Sequence, residues 1–249
     1  MMPWRRHRRS APSLGAQAQA DAWQLISLLL DYPDERLASL RPVLRESAAG
    51  LPEAVGAPLL SFLDRLDTVP LDQVQSEYVD TFDVTRKCSL HLTYFLYGDT
   101  RKRGAALVQF KQAYRAAGVE MADEGSELPD HLSVLLEFGA TTDPASAWKL
   151  LNDHRVGIEL LHRALTDRES PWRPVLVALR ATLPTLQGDD EQALARLIAE
   201  GPPQEEVGID QSPYAMDPAL DEAVAARPPT PQPSARADLG PTIPVGAPR

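Results

Sequence analysis

The sequence predicts an all-α protein: a single, bundle-like helical domain of about nine to ten helices with disordered N- and C-terminal tails. Leu and Ala are abundant, whereas aromatic residues make up only 6% of the chain. This composition favours packing of helix on helix over a sheet of β-branched and aromatic residues. Hydrophobic residues make up 43% of the 249 positions, enough to bury a sizeable core. Apolar side chains also recur at helical spacing through the middle of the chain.

Composition divides the chain into three regions. Residues 1–17 form a basic tail, which we expect to be disordered, and residues 18–201 form the helical domain. Eleven of the 23 prolines fall within residues 202–248, so residues 202–249 are predicted to be a mostly disordered, Pro-rich tail. Within it, residues 204–214 read QEEVGIDQSPY. This segment either docks on the body or a partner, or has no fixed contact.

In the first half of the domain, the apolar spacing predicts five helices. Trp23, Ile26 and Leu30 share one face of the first. A break at 83–89 separates the fourth helix from the fifth. The predicted helices cover 18–30, a segment from Pro33 onward, 58–66, 71–82 and 90–97.

In the second half, local start and stop signals set the boundaries. Asp143-Pro144 is a strong start, with the acid as N-cap and proline at the first helical position, and Ser170-Pro171 repeats the pattern. Gly118 and Gly201 are placed as C-terminal stops. The predicted helices cover 99 or 100 to 117, 130–138, 143–165, a segment from Ser170, and 190–200.

The charge distribution indicates an acidic body. The net charge is −10, but Arg5, Arg6, Arg8 and Arg9 stand in the first sixteen residues, so residues 17–249 carry −14. Such a surface repels nucleic acid and anionic membranes, and it attracts basic peptides through a long-range field. The simpler explanation is that the charge keeps the protein dispersed.

Cysteine content and hydropathy bear on the compartment. Cys88 is the single cysteine, so no internal disulfide can form and a reducing, cytoplasmic environment fits. The longest apolar run near the start, Leu25–Leu30, is far short of the roughly 20 residues that span a bilayer. We therefore expect no membrane insertion.

The segment Gly98–Ala106 reads GDTRKRGAA and fails the phosphate-loop pattern, because an arginine occupies the position of the second glycine. A basic cluster at a helix start can hold a phosphate or carboxylate. The favoured explanation is that Asp99 caps the helix and Arg101–Arg103 are solvated or ion-paired.

The histidines do not form a convincing metal site. Cys88 and His91 are three residues apart, but a catalytic zinc site needs three protein ligands. We expect Cys88 to be a buried free cysteine. His154 and His162 lie about 80° apart on a helical wheel, so they are poor co-ligands and are predicted to be surface residues.

A polar cluster at 127–131 reads Glu-Leu-Pro-Asp-His. Asp130 can cap a helix while His131 lies in its first turn. Three interpretations stay open: a catalytic acid–base set, a polar edge that binds an arginine-bearing apolar peptide, or helix capping alone. No glycine-rich oxyanion turn accompanies the cluster, which argues against catalysis.

Several segments together resemble the molybdenum-cofactor assembly chaperones of respiratory nitrate reductase, the NarJ type within the TorD/DmsD family of redox-enzyme maturation chaperones. The resemblance covers roughly residues 23–214. The wider family has Glu-Pro-x-Asp-His where this chain has its proline one position later, as in the nitrate-reductase branch. The matching segments are LLLDYPDERL at 28–37, YVDTF at 78–82, CSLHLTYFLYGDTRKRGAAL at 88–107, ELPDHL at 127–132 and EEVGID at 205–210.

The resemblance implies a cytoplasmic chaperone, not an enzyme, with no bound cofactor or metal. Its implied partner is the apo form of the catalytic α-subunit of nitrate reductase, held open for molybdenum-cofactor insertion. The predicted client-peptide-binding residues are Tyr78, Phe82, His91, Tyr94, Asp99, Arg101, Glu127, Asp130 and His131.

Two alternatives remain at this point. One is a helical metal- or nucleotide-dependent hydrolase that uses Asp99, Glu127, Asp130 and His131. The other is a scaffold without a client-specific groove.

Overall fold

The computed structural model describes residues 14–98, 100–121, 127–186 and 188–200. Within these ranges the chain forms eleven α-helices and no β-strand, which confirms the all-α prediction. Both predicted tails, apart from residues 14–17, lie outside the described residues, as do the segment 204–214 and Asp99. The helices are α1 Ala16–Leu30, α2 Glu35–Ala49, α3 Glu53–Thr68, α4 Leu71–Tyr78, α5 Leu92–Tyr97, α6 Arg101–Ala116, α7 Leu132–Thr141, α8 Pro144–Asp153, α9 Arg155–Asp167, α10 Arg173–Ala181 and α11 Asp189–Glu200.

The core is built around α1, which packs on α7, α10 and α2, while α3 packs on α10 and α2. Two buried indoles fix α1 to the C-terminal helices. Trp23 Nε1 donates to the Thr182 hydroxyl at 3.1 Å, and Trp172 Nε1 donates to the Leu29 carbonyl at 3.1 Å. Because a buried N–H without an acceptor is costly, these two bonds favour one arrangement of α1 and α10.

Helix α3 begins at Glu53, five residues before the predicted start at Pro58. Because proline is usually excluded from a helix interior, Pro58 was expected to begin the helix. It lies inside α3 instead, so the predicted start was wrong. A tertiary contact extends the helix upstream: a Cβ on Gly56 would lie only 2.4 Å from the Ala48 carbonyl oxygen. Glycine therefore allows α3 to cross close to the end of α2.

The long helix predicted over 143–165 is divided into α8 and α9 at His154. His154 is buried, so its assignment to the surface was wrong, and its ring packs on Phe110 with centroids 5.0 Å apart. Its Nδ1 lies 2.9 Å from the Leu150 carbonyl, and Asn152 donates to the Trp148 carbonyl at 2.7 Å. Side chains that bond local carbonyls in this way disturb the helical ladder. His162 is half-buried beside Arg180.

The middle of the chain follows the prediction with altered ends. Helix α4 continues into a π-helical turn, Val79–Asp83, in which Val84 N–H donates to the Val79 carbonyl at 3.0 Å. A 3₁₀ turn at Arg86–Cys88 follows. Gly118 has a φ of +78°, as suits a residue that ends α6. No helix in the described ranges is both long and apolar enough to cross a membrane.

Gly139 on α7 provides a test of the central packing. A Cβ at this position would lie 2.5 Å from Ala147 Cβ and 2.7 Å from the Trp23 ring. We expect Gly139→Ala to lower the free energy of unfolding by about 2 kcal/mol, the cost of overpacking a core. Urea denaturation measures the change. Gly50→Ala is the control, since a Cβ there makes ordinary contacts at 3.5 Å. Equal effects of both substitutions would contradict the packing described.

Candidate functional site

The starts of α5 and α7 are joined through their backbones. Leu92 N–H donates to the Asp130 carbonyl at 3.1 Å, and Leu132 N–H donates to the Leu90 carbonyl at 2.9 Å. These bonds form an antiparallel bridge between His91 and His131. We call Leu90–Thr93 and Pro129–Leu132 the α5–α7 junction. It explains why both helices begin two residues later than predicted.

Asp130 is completely buried in this junction. Its Oδ2 accepts the Thr93 N–H at 3.1 Å and the Thr93 hydroxyl at 2.5 Å. Asp130 therefore caps α5, not α7, whose N-cap residue is His131 and receives no side-chain cap. The predicted cap partner was wrong because a contact distant in sequence replaces the local one.

Two basic side chains lie beside this carboxylate. His91 Nδ1 is 3.4 Å from Asp130 Oδ1, outside hydrogen-bond geometry but within electrostatic reach. Arg103 Nη2 is 3.9 Å from Oδ2, and Arg103 Nε donates to the Thr93 hydroxyl at 3.2 Å. Burial alone raises the pKa of Asp130, but the interactions with His91 and Thr93 outweigh it and lower the pKa. The buried carboxylate is therefore ionised.

His131 is buried on the other side of the bridge. Its Nδ1 lies 2.7 Å from the Ser133 hydroxyl, and its ring centroid is 5.2 Å from that of His91. Burial, reinforced by His91 and opposed by Asp130, lowers the pKa of His131 to about 4. His131 is therefore neutral near pH 7.

Tyr78 and Phe82 belong to a separate, aromatic cluster. Their ring centroids are 4.8 Å apart, and those of Phe82 and Trp172 are 5.4 Å apart. Tyr78 donates its hydroxyl to the Leu30 carbonyl at 3.0 Å. Tyr78 is 6% exposed and Phe82 is 8% exposed. Both residues thus support the surface above them and contribute little area to it.

Three carboxylates act on Tyr78 from the solvent side. Burial raises the pKa of Tyr78, and Asp31, Asp83 and Glu127 raise it further, in that order of effect. All three are exposed. These acids therefore lie close enough to Tyr78 in the folded chain to act on its pKa, although they are far apart in sequence.

Each of these acids is followed by an exposed apolar residue. Tyr32 is 46% exposed, Val84 is 70% exposed and Leu128 is 43% exposed. Tyr32 also packs edge-on against Tyr78, with centroids 5.5 Å apart. We call this set the mixed patch; it consists of Asp31, Tyr32, Asp83, Val84, Glu127 and Leu128.

The predicted site residues thus fall into distinct groups. Tyr78 and Phe82 lie under the mixed patch and Glu127 lies in it, whereas His91, Asp130 and His131 meet in the α5–α7 junction. Tyr94 is half-buried, with its ring centroid 6.0 Å from that of Phe95. Arg101 is exposed in the first turn of α6.

Sequence reasoning missed Asp31 and Asp83. A recurring sequence pattern could have identified them: an acid followed by an apolar residue at the end of an element or in a loop. The pattern occurs at Asp31-Tyr32, Asp83-Val84 and Glu127-Leu128. Only the fold shows that the three pairs meet.

Cys88 is fully buried and free, as predicted. Burial raises the pKa of its thiol, and the charge of Arg168 opposes this effect. The thiol therefore stays protonated near pH 7. The described residues contain no cluster of three or more His, Cys, Asp or Glu side chains arranged to hold a metal ion.

The fold and the mixed patch define a class of protein: an all-α domain with an acidic and apolar area on its surface. Residues 48–178 match the model of the nitrate reductase delta subunit family. The chain belongs to this family, which confirms the resemblance.

Two relatives illustrate the similarity. The nitrate reductase molybdenum cofactor assembly chaperone NarJ of Escherichia coli K12 is 32% identical over 202 residues, 80% of this chain and 81% of NarJ. The nitrate reductase-like protein NarX of Mycobacterium tuberculosis H37Rv is 39% identical over 160 residues, 64% of this chain. The matched part covers only 24% of NarX.

Removal of the buried carboxylate tests the α5–α7 junction. We expect Asp130→Ala to lower the free energy of unfolding by about 3 kcal/mol, because it leaves the Thr93 donors and nearby cations without their acceptor. Asp130→Asn keeps an acceptor oxygen and should cost less. Asp143 is the matched control: it is a half-buried N-cap that accepts from Ala145 N and Ser146 N at 3.0 Å. We expect Asp143→Ala to lower the free energy of unfolding by about 1 kcal/mol. Similar losses in both alanine variants would argue against a special role for Asp130.

Acidification tests the buried His131. Its pKa is about 4 in the folded chain against an ordinary value of 6.5, so the unfolded chain binds more protons between these values. The stabilisation is complete above pH 6.5 and is lost as the pH falls towards 4, with a slope of up to about 1.4 kcal/mol per pH unit for one histidine. Burial also lowers the pKa of His154, which adds to the slope.

Urea denaturation at roughly pH 4.5 to 7.5, which covers this range, measures the effect. The free energy of unfolding should depend less steeply on pH in His131→Asn than in the unsubstituted chain. The same slope in both proteins would mean that His131 does not carry the effect. Asp130 does not affect this measurement. Because its pKa is lowered in the folded chain, its stabilising contribution is fully present above the ordinary pKa of 3.8 and is lost only as the pH falls below that value.

Proposed function

We propose that this protein is a client-specific assembly chaperone of nitrate reductase. It binds the N-terminal peptide of the catalytic α-subunit and keeps the apo subunit competent for molybdenum-cofactor insertion and complex assembly. The mixed patch is the observation that carries this proposal. Membership of the nitrate reductase delta subunit family and the similarity to NarJ support it.

The chemistry of the mixed patch suits a peptide that is both basic and apolar. Carboxylates accept charge-assisted hydrogen bonds from arginine or lysine, and the adjoining Tyr32, Val84 and Leu128 offer apolar contact area. The acids come from three separate segments, so one peptide can meet all three only if the fold is intact. An extended or helical segment fits these requirements better than a small molecule does.

The burial of the α5–α7 junction argues against catalysis by Asp130 and His131, which were considered above as residues of a hydrolase. It therefore supports a binding role. Asp130 has no exposed surface and His131 is 6% exposed, whereas Glu127 is exposed in the mixed patch. A substrate cannot reach Asp130 in this conformation, so Asp130 cannot act with the exposed Glu127 as an accessible acid–base pair. The protein acts by binding, without a cofactor of its own.

The remaining features of the proposal follow from the sequence. Residues 18–201 form the chaperone domain, and residues 202–249 form a Pro-rich tail. The protein works in the cytoplasm, where the apo α-subunit is assembled. It binds neither nucleic acid nor the membrane directly, because its body is acidic.

Binding of the client peptide tests the proposal. A synthetic peptide with the N-terminal sequence of the α-subunit should bind the full chain in isothermal titration calorimetry, more weakly as salt is raised. The combined variant Asp31→Asn, Asp83→Asn and Glu127→Gln should lower the affinity about tenfold or more, because rim charges each contribute a modest share. Leu128→Ser with Val84→Ser should weaken binding with little change in its salt dependence.

Glu46→Gln is the matched control, since Glu46 is an exposed acid in the last turn of α2. It should leave the affinity unchanged. Peptide binding that is unaffected by the triple variant would contradict the assignment of the mixed patch, and no binding to the unsubstituted chain would contradict the chaperone proposal. Asp130 and His131 are unsuitable for this test because they are buried and their substitution alters the fold.

A further inference from the structure

The outer face of α6 differs in charge from the rest of the protein. This helix contains five basic residues and no acid, within a region, residues 17–249, whose net charge is −14. Most cations on the other helices are ion-paired, for example Arg45 with Asp64 at 2.7 Å and Arg65 with Glu77 at 2.6 Å. Lys111 and Arg115 form no ion pair among the described residues. They are both exposed.

The same face carries small and apolar residues where solvent-facing helices usually carry charge. Gly104, Ala105 and Val108 are exposed, and Val108 is 48% exposed. These residues and Arg115 follow a spacing of three, four and seven, so they lie along one stripe of the helix. We define the α6 face as Gly104, Ala105, Val108, Lys111, Gln112 and Arg115.

Gly104 has no structural explanation within the described chain. A Cβ at this position would meet nothing within 4 Å, and its φ is not positive. Glycine in a helix costs about 1 kcal/mol relative to alanine, and here that cost is not offset by close internal packing. A glycine with open space above it permits a partner backbone to approach the helix.

A recess adjoins the end of this face. A cavity of about 160 Å³ is lined by Tyr114, Val119, Glu120 and Met121 together with Lys111 and Arg115. The two cations therefore border a concave surface into which a side chain can enter. The stripe from Gly104 to Arg115 is about 16 Å long, the rise of eleven helical residues.

We infer that the α6 face is a second docking surface, which binds an acidic helix of a partner protein. Charge complementarity selects the occupant, since Lys111 and Arg115, which form no ion pair among the described residues, attract carboxylates. The small residues let the partner helix pack closely on Gly104 and Ala105 while its carboxylates meet Lys111 and Arg115. This surface shares no residue with the mixed patch and favours a ligand of the opposite charge.

The test uses a labelled, amphipathic helical peptide of about four turns, with an alanine stripe and glutamates on both sides of it. Fluorescence anisotropy with the full chain should show binding that weakens with salt. Lys111→Glu with Arg115→Glu should lower the affinity about tenfold or more, because it replaces attraction by repulsion. A charge-reversed peptide with lysines in place of glutamates should not compete.

The glycine provides a matched pair of variants that separates docking from folding. Gly104→Ala and Gly104→Leu both raise helix propensity, and the Cβ of either residue meets no described atom within 4 Å. Gly104→Leu should reduce binding of the acidic peptide about tenfold or more through steric blocking, whereas Gly104→Ala should largely retain it. Circular dichroism and urea denaturation should show both variants folded.

Three outcomes would overturn the inference: no binding of the acidic peptide, equal binding by Gly104→Leu, or equal competition by the lysine peptide. The face would instead be assigned to a lipid surface if the acidic peptide fails to bind and the protein co-sediments with phosphatidylglycerol vesicles. In that case Lys111→Glu with Arg115→Glu should abolish the co-sedimentation. The proposed chaperone function is tested separately, because the client peptide is basic and binds the mixed patch.

Discussion

The carboxylate of Asp130 stabilises the first turn of α5 from a position 37 residues further along the chain. Short helices depend on such contacts, because α5 has only six residues and nucleation of a single turn is unfavourable on its own. The backbone bridge between His91 and His131 adds two hydrogen bonds at the same point. The direction of α5 relative to α7 is therefore fixed by polar contacts inside an apolar core.

This junction also determines where neighbouring segments lie. Tyr114 on α6 donates its hydroxyl to the Pro129 carbonyl at 2.6 Å, and the Ser27 hydroxyl on α1 donates to the Ser133 carbonyl at 2.9 Å. The segment that carries Glu127 and Leu128 is thus held between α6 and the central helix. Since Glu127 belongs to the mixed patch, the geometry of that surface depends on a network it does not itself contain. Buried hydrogen bonds of this kind favour one arrangement over others, because breaking them would leave polar groups without partners inside the core.

How far the sequence predicts the molecule depends on whether a feature is local. The start of α8 follows from Asp143-Pro144 and the end of α6 from Gly118, because caps and stops act within a few residues. The cap of α5 and the packing of His154 on Phe110 could not be predicted, since each partner is distant in sequence. The start of α3 could not be predicted either, because it depends on the close approach of Gly56 to the Ala48 carbonyl, which the local sequence pattern does not reveal.

The candidate site shows the same division. Glu127, Asp130 and His131 were grouped because they are adjacent in sequence, but the fold separates the exposed Glu127 from the two buried residues. Asp31 and Asp83 escaped notice because an exposed acid is common on any surface. Their significance arises only from their joint effect on Tyr78, which is a property of the folded chain.

The opposite charges of the two surfaces have a physical consequence for binding. An acidic patch attracts basic peptides over about one Debye length, which is roughly 8 Å at physiological ionic strength, and a basic helix on the same chain would reduce that field if it lay within this range. A cationic surface close to the acidic patch would therefore carry a cost for a protein whose proposed task is to attract a basic peptide. The outer face of α6 nevertheless keeps Lys111 and Arg115, which form no ion pair among the described residues, together with a helix-weakening Gly104 whose Cβ would meet nothing within 4 Å. A partner that covers this face makes both features favourable, and this is the strongest argument that α6 contributes more than support for the core.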